Sequence, residues 1–185
     1  MNRPLRIAVV ATVWYPLSHA DVIVTRWVTP YVTDAEYGWE KPASSIASVF
    51  IEQFPDNDIG RAFCRKHSIP LCDSIEAALT LGTGSLAVDA VLLIGEHGDY
   101  PHNRYFQKLY PRKRLFDAIV AVFRKAGRAV PVFNDKHLSW SFEESAAMVA
   151  TAAELGFPLY AGSSLPHCRS VPDEPVNAGD TPAEV

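Results

Sequence analysis

Cysteine is scarce in this chain, and long apolar runs are missing. The 185 residues include three cysteines, Cys64, Cys72 and Cys168, and no two of them form a CxxC pair. Such an odd, unpatterned set excludes a disulfide framework and a cysteine zinc site, and indicates reduced thiols. No apolar stretch reaches the ~18–20 residues that a membrane span requires. We therefore expect a cytoplasmic protein that does not enter a membrane.

An excess of positive charge is also lacking. The chain has 17 Lys and Arg against 21 Asp and Glu, which gives a net charge of −4. Because nucleic-acid binding requires a basic surface that neutralises phosphates, this composition argues against a nucleic-acid partner. The one basic cluster, Arg112-Lys113-Arg114, is interpreted as the solvated start of a helix. A hydrophobic content of 48% and a mean hydropathy of +0.01 are typical of a globular domain with a full core.

Short apolar runs alternate with helical patterns along the chain. The runs predict six strands, at residues 5–13, 46–53, 69–72, 88–94, 129–133 and 157–161, and the spacing between them predicts helices at 19–28, 59–67, 75–81, 115–125 and 142–155. This alternation predicts the α/β class: a doubly wound parallel sheet, Rossmann-like, with strand order 3-2-1-4-5-6. We expect a single domain over residues 1–166. Residues 167–185, rich in proline and acid, predict a flexible tail.

Three loops that follow predicted strands contain side chains suited to binding or catalysis. They are residues 11–21, 95–102 and 134–139, which follow the first, fourth and fifth strands. Because the carboxyl ends of parallel strands open onto one crevice, these loops should meet there. We therefore predict one pocket containing His19, Glu96, His97, Asp135, Lys136 and His137.

The spacing of these residues leaves their chemistry open. Glu96, His97 and Asp99 could bind a divalent metal, relay a proton or hydrogen-bond a sugar, and no HExxH pattern decides among these roles. Lys136 could position or protonate a substrate oxygen, or simply pair with Asp135. Glu52, at the end of the second predicted strand, is placed like an acid that binds a ribose hydroxyl, although an ordinary solvated carboxylate is as good an interpretation.

The first loop occupies the place of a dinucleotide fingerprint but lacks its glycines. Ala11, Val13 and Pro16 stand at the corresponding positions. Glycines there allow a tight turn and close approach to pyrophosphate, and proline has no N–H to donate. We therefore predict weak or no binding of NAD or NADP in the usual pose.

Several segments resemble a known family. ATVWYPLSHA, VDAVLLIGEHGDYPHN and VPVFNDKHLSWSFEESAAMVATAAELGFPLYAGSS, within residues 4–165, resemble the N-terminal nucleotide-binding domain of the Gfo/Idh/MocA oxidoreductases. The resemblance implies NAD or NADP as cofactor and a sugar or polyol as substrate. By position, Lys136 matches the lysine of the family's Glu-Lys-Pro motif, which contacts substrate and nicotinamide ribose. In this chain Asp135 stands in place of the motif's glutamate, and His137 stands in place of its proline.

The resemblance and the loop residues together give the predicted site. The predicted catalytic residues are Lys136, His97 and His137, the predicted cofactor-binding residues are Ala11, Val13, His19, Glu52 and Glu96, and no metal ligand is assigned. The family's substrate domain has no counterpart in these residues, so we expect a homo-oligomer or a partner chain to supply one. Two rival functions remain open: a metal-assisted hydrolase or lyase using the His, Glu and Asp cluster, and a non-catalytic binding module.

Overall fold

Strands and helices alternate through the part of the chain that the computed structural model describes, residues 3–29 and 42–163. The strands are β1 Leu5–Ala11, β2 Ser44–Ile51, β3 Leu71–Cys72, β4 Ala90–Ile94, β5 Val132–Asp135 and β6 Leu159–Gly162. The helices are α1 His19–Val24, α2 Gly60–Lys66, α3 Ile75–Thr80, α4 Arg112–Ala126 and α5 Phe142–Leu155, and a 3₁₀ turn, Thr25–Trp27, follows α1. None of these helices is long and apolar enough to cross a membrane. The tail predicted at 167–185 lies outside the described residues.

The strands form one parallel sheet. Their order is β3-β2-β1-β4-β5-β6, and every neighbouring pair is parallel, which confirms the predicted doubly wound topology. In the central register, Ala11 lies beside Ile51 of β2 and Ile94 of β4. The three central strands therefore end at the same level, and the segments that follow them start side by side.

Helices cover the sheet on both faces because alternate strand residues point to opposite sides. Val10 and Leu93 pack under α3, α4 and α5, where Phe116 and Met148 are fully buried. Val9 and Leu92, one residue away, belong to the second core beneath α1 and α2. The sheet is thus packed on both faces, and it holds the loops at its carboxyl edge in position.

The ends of α3 and α5 follow the signals in the sequence. Ser74 and Ser141 are the N-caps, and each side chain accepts a hydrogen bond from the backbone N–H three residues later. Gly156 ends α5 in the left-handed conformation, with φ of 67°, which glycine adopts at little cost. The predicted bounds of α5 are confirmed.

The position of β5 differs from the prediction of residues 129–133. The strand runs Val132–Asp135, so Asn134 and Asp135 are buried strand residues rather than part of a loop. Pro131 has no N–H for the ladder, but its carbonyl accepts a hydrogen bond from Val91 N at 2.9 Å. Asn134 is tolerated in the sheet because its Nδ2 donates to the carbonyl oxygen of His137 at 3.0 Å.

Candidate functional site

A histidine–aspartate pair lies at the carboxyl edge of the sheet. His19 is the first residue of α1, and Asp135 is the last residue of β5. His19 Nδ1 lies 2.5 Å from Asp135 Oδ2, and the Asp135 side chain is only 8% exposed. A carboxylate at Nδ1 fixes the orientation of the ring and leaves Nε2 as the nitrogen that can exchange a proton with a ligand.

This pair lines a cavity together with Lys136. The cavity has a volume of about 440 Å³, and its other walls are Val22, Ile23, Phe133, Gly162 and Ser163. A volume of this size suits a small molecule. Lys136 Nζ lies 3.4 Å from Ser163 Oγ, and the ion-pair partner of Asp135 among the described residues is His19 rather than Lys136. The cavity therefore combines an imidazole, a carboxylate and an ammonium group on mostly apolar walls.

His97 stands next to the pair but outside the cavity wall. Its ring meets the His19 ring edge-on, with 5.0 Å between centroids, and lies 5.5 Å from the Tyr15 ring. Burial lowers the pKa of His97, and the neighbouring His19 lowers it further. His97 Nε2 is buried and has no hydrogen-bond partner among the described residues. The His97 ring thus contacts both Tyr15 and His19, beside the cavity.

Two of the three predicted catalytic residues have strained backbones. His97 has a φ of 66° and Lys136 a φ of 65°, in the left-handed region that residues with a Cβ avoid. Strain of this kind costs on the order of 1–3 kcal/mol and tends to occur where function dictates the geometry. Leu17, Ser68, Leu81 and Phe106 share this conformation, so the strain alone does not mark a site.

A buried arginine joins the loops that follow β4 and β5. Arg112 is fully buried at the start of α4, and its guanidinium forms an ion pair with Glu96. Arg112 Nη1 also lies 3.3 Å from His137 Nε2. Partial burial lowers the pKa of His137, and the positive charge of Arg112 adds to this effect. Glu96 and His137 therefore meet at Arg112.

The interpretation of Arg112 as a solvated helix start was wrong. Gly95 explains the burial, because a methyl group at this position would lie 2.6 Å from Arg112 Cγ. The absence of a side chain lets α4 begin directly against the end of β4. Lys113 and Arg114 do lie outside the core and pair with Asp117 and Glu52.

Glu52 is engaged within the protein. Its Oε1 accepts a hydrogen bond from Arg114 Nη2 at 2.6 Å, and its Oε2 accepts one from the Tyr100 hydroxyl at 2.5 Å. Burial raises the pKa of Tyr100, and the hydrogen bond to Glu52 raises it further, so Tyr100 remains a donor. The structure thus places Glu52 at the end of β2, as predicted, but both of its carboxylate oxygens accept hydrogen bonds from the protein.

Buried side chains fill the loop after β1, and Asp21 places a carboxylate in the first turn of α1. Val13 and Trp14 are buried, and the Trp14 ring lies 4.8 Å from that of Phe63. The Asp21 carboxylate accepts a hydrogen bond from Leu17 N at 2.9 Å. A carboxylate at the start of α1 opposes phosphate binding, which relies on exposed amides and positive potential at a helix N-terminus.

The structure brings the predicted residues together in two groups. His19, Asp135 and Lys136 share the cavity, with His97 against His19; Glu96 and His137 converge on Arg112. Among the described residues, no group of three or more His, Cys, Asp or Glu is arranged to hold a metal ion. Sequence reasoning missed Arg112, because a basic run at the start of a helix is normally solvated, whereas Arg112 is fully buried.

Comparisons with known proteins agree with this architecture. The GenD2 protein from gentamicin A biosynthesis, in complex with NAD, matches with a TM-score of 0.55 at 16% identity, over 88% of this chain and 35% of that chain. UDP-N-acetylglucosamine 3-dehydrogenase from Acidithiobacillus ferrooxidans matches with a TM-score of 0.51 at 15% identity, over 85% and 37%. The chain shares their fold. This confirms, at the level of the fold, the resemblance seen in the sequence.

A third solved structure extends the comparison. Biliverdin reductase from Synechocystis sp., in complex with biliverdin and NADP⁺, matches with a TM-score of 0.50 at 15% identity, over 85% of this chain and 37% of that chain. The chain thus spans little more than a third of the length of these proteins. No protein-family model matches the chain, and neither does any curated protein.

Proposed function

We propose that this chain is a Rossmann-fold domain of oxidoreductase type that binds a hydroxyl-rich, sugar-like ligand at its carboxyl edge. The observation that carries the proposal is the single cavity lined by Lys136 and by the His19–Asp135 pair, in which Nδ1 and Oδ2 are 2.5 Å apart. Such a cavity offers a donor for a ligand oxygen and an oriented imidazole for its proton.

The proposed chemistry follows from the three side chains. The Lys136 ammonium donates hydrogen bonds and has no acceptor, so it suits a hydroxyl or carbonyl oxygen of the ligand. His19, held by Asp135, would take or return the proton of that hydroxyl at Nε2, while the carboxylate stabilises the imidazolium that forms. The apolar side chains of Val22, Ile23 and Phe133 would pack against the carbon skeleton of the ligand.

The proposal includes only weak binding of NAD or NADP. Fold neighbours bound to NAD and NADP⁺ favour a nicotinamide-linked origin for this domain. The buried Val13 and Trp14 and the Asp21 carboxylate at α1 argue against the usual pose in this chain. We therefore propose that any binding of NAD or NADP here is weak, and no step of the chemistry above depends on it.

A complete active site is proposed to need a second domain. The neighbours that share this fold are almost three times as long as the part they match, since the chain covers 35% and 37% of GenD2 and the dehydrogenase. A partner chain or a second copy of this chain would bring further groups to the open side of the cavity. Ligand binding, rather than turnover, is accordingly the property to test first.

A thermal-shift screen tests the proposed function. Sugars, polyols, NAD, NADH and NADPH would each be added to the intact chain, and positive ligands would then be measured by calorimetry. The variant Lys136→Ala is compared with Lys66→Ala, a lysine exposed in α2. We expect a sugar or polyol to bind to the wild type and to Lys66→Ala but not to Lys136→Ala. Equal affinity for all three proteins would overturn the proposal.

A further inference from the structure

The turn after β5 that carries Lys136 is held by three sets of contacts. Lys136 N donates to the carbonyl oxygen of Gly162 at 2.9 Å, and Gly162 N donates to that of Lys136 at 3.0 Å, which ties the turn to β6. The carbonyl oxygen of His137 accepts a hydrogen bond from Asn134 Nδ2 at 3.0 Å. The third contact joins the His137 ring to α4, with Arg112 Nη1 3.3 Å from His137 Nε2.

The contact with Arg112 determines the protonation state of His137. A guanidinium has N–H donors and no acceptor, so His137 Nε2 accepts the hydrogen bond and the ring proton is on Nδ1. An imidazolium carries a proton on both nitrogens and cannot accept a hydrogen bond. The contact therefore forms only while His137 is neutral.

Arg112 is the fixed partner of this contact. It is fully buried, its guanidinium pairs with Glu96, and a methyl group on Gly95 would lie 2.6 Å from its Cγ. His137, in contrast, is exposed. When His137 is protonated, the histidine and its turn are therefore the part that moves, and Arg112 stays in place.

Four charged groups act on the His137 ring. They are Arg112 of α4, Glu96 after β4, and Asp135 and Lys136, which precede His137 in the chain. Partial burial lowers the pKa of His137 from 6.5, the two cations lower it further, and the two carboxylates oppose this shift. The ring is accordingly neutral at neutral pH and gains its proton as the pH falls below 6.5.

Lys136 depends on this turn for its position in the cavity. Its backbone has a φ of 65°, a conformation that a residue with a Cβ keeps only when surrounding contacts hold it. Lys136 lines the cavity with His19 and Asp135, whereas His137 does not. A change at His137 thus reaches the cavity through Lys136, its neighbour in the chain.

We propose that His137 is a positioning residue: its hydrogen bond from Arg112 holds Lys136 in the cavity, and protonation of His137 releases Lys136 and weakens ligand binding. The inference rests on the proposed function, because it assigns a regulation by pH to the same site. Affinity is full at neutral pH and is lost as the pH falls below 6.5, through the lowered pKa of His137.

Nuclear magnetic resonance of the intact chain tests the contact without a ligand. The nitrogen shifts of the His137 ring should show Nε2 without a proton at about pH 8. Hydrogen exchange of the Lys136 amide, corrected for its intrinsic dependence on pH, reports the turn. Its protection should fall at least about tenfold between about pH 8 and about pH 5 in the wild type.

The variant His137→Gln is the matched control, because its amide oxygen can accept from Arg112 at every pH. It should keep the protection of the Lys136 amide at about pH 5, whereas His67→Gln, at the end of α2, should behave as wild type. A proton on Nε2 at about pH 8, or equal protection in wild type and His137→Gln at about pH 5, would overturn the proposal.

Calorimetry with glucose and with sorbitol tests the effect on binding. His137→Leu, which has no acceptor, should bind at least about tenfold more weakly than wild type at about pH 8. His137→Gln should match wild type at about pH 8 and bind more tightly than wild type at about pH 5. Since His19 is present in every variant, its own titration does not affect this comparison. Equal affinities of wild type and His137→Gln at both pH values would contradict the proposal.

The two measurements separate this inference from the proposed function. If the Lys136 amide responds to His137 but neither glucose nor sorbitol depends on Lys136, the positioning contact stands and the proposed function fails. If either compound binds through Lys136 with the same affinity in His137→Leu as in wild type, the proposed function stands and the positioning role fails.

Discussion

His19 and Asp135 are 116 residues apart in the chain, yet His19 Nδ1 lies 2.5 Å from Asp135 Oδ2. The pair spans the end of β4, which lies between β1 and β5 in the sheet. Two strand spacings amount to roughly 10 Å, so α1 must lean across the sheet edge for the side chains to meet. The contact thereby links the first and second halves of the fold at the candidate site.

Removing this contact should impair binding more than stability. In Asp135→Asn the side chain keeps its size but loses the charge that orients His19 and stabilises its protonated form. We expect ligand affinity to fall at least about tenfold, as for the loss of a hydrogen bond to a charged group. Calorimetry gives the affinity and urea unfolding the stability. The control Asp117→Asn, in an exposed pair with Lys113, should bind as wild type. An unchanged affinity in Asp135→Asn would remove the pair from the site.

Substitution of Lys136 should abolish ligand binding without unfolding the protein. In Lys136→Ala the ammonium is lost, while a partly exposed side chain at the sheet edge contributes little to the core. In Lys136→Gly the φ of 65° is no longer strained, so we expect this variant to be more stable than Lys136→Ala by up to about 1 kcal/mol. Urea unfolding and calorimetry on both variants check this. Unfolding of Lys136→Ala with unchanged affinity per folded molecule would indicate a structural lysine.

Loss of Arg112 should destabilise the protein strongly. Arg112→Met leaves Glu96 without its buried partner, and breaking such a pair costs about 3–5 kcal/mol. The double variant Arg112→Met/Glu96→Gln removes the unpaired charge and should recover part of that loss. Urea unfolding of the two variants and the wild type measures both effects. A single variant as stable as wild type would show that the ion pair is dispensable.

Stability in acid should depend on Asp89. The hydrogen bond from Arg3, together with that from the Arg6 backbone N–H, lowers the pKa of Asp89 from 3.8 to about 2. A lowered pKa in the folded state stabilises it fully above the unfolded value, and this contribution is lost as the pH falls from about 4 through 2. Asp89→Asn should therefore be less stable than wild type at pH 7, and the difference should shrink as the pH falls and vanish below pH 2. Urea unfolding across this range measures it; a difference that does not change with pH would contradict the assignment.

NADH titration tests the effect of the altered β1 loop. We expect a dissociation constant well above micromolar, since Val13 and Trp14 fill the loop and Asp21 places a carboxylate at α1. Asp21→Asn keeps an acceptor for Leu17 N and removes the charge, so it should bind NADH more tightly than wild type. Fluorescence of the bound nicotinamide reports both constants. Micromolar or tighter binding by the wild type would show that the loop accommodates pyrophosphate.

The order of the strands could be predicted because each one is a short apolar run with helical spacing on either side. Val9, Val10, Leu92 and Leu93 are buried from both sides, as only the central strands of a parallel sheet are. With the topology fixed, the meeting of His19 with Asp135 follows from where their strands end. The N-cap serines of α3 and α5, Ser74 and Ser141, likewise mark the starts of these helices within the local sequence.

The details of the site could not be predicted, because they depend on contacts between distant residues. Asp135 can lie in a strand because its carboxylate is hydrogen-bonded to His19, 116 residues earlier in the chain. Arg112 is buried because Gly95 has no side chain and Glu96 supplies a negative charge. A basic run before a helix is normally solvated, and nothing within the run itself distinguishes Arg112 from Lys113.

The contact between Gly95 and Arg112 also limits how the site can move. It fixes the end of β4 and the start of α4 to each other at a separation that leaves no room for a methyl group. The segment between β4 and α4 therefore has both of its ends fixed at this one contact. Glu96, next to Gly95, and Arg112, its ion-pair partner, therefore keep their relative positions at the edge of the site.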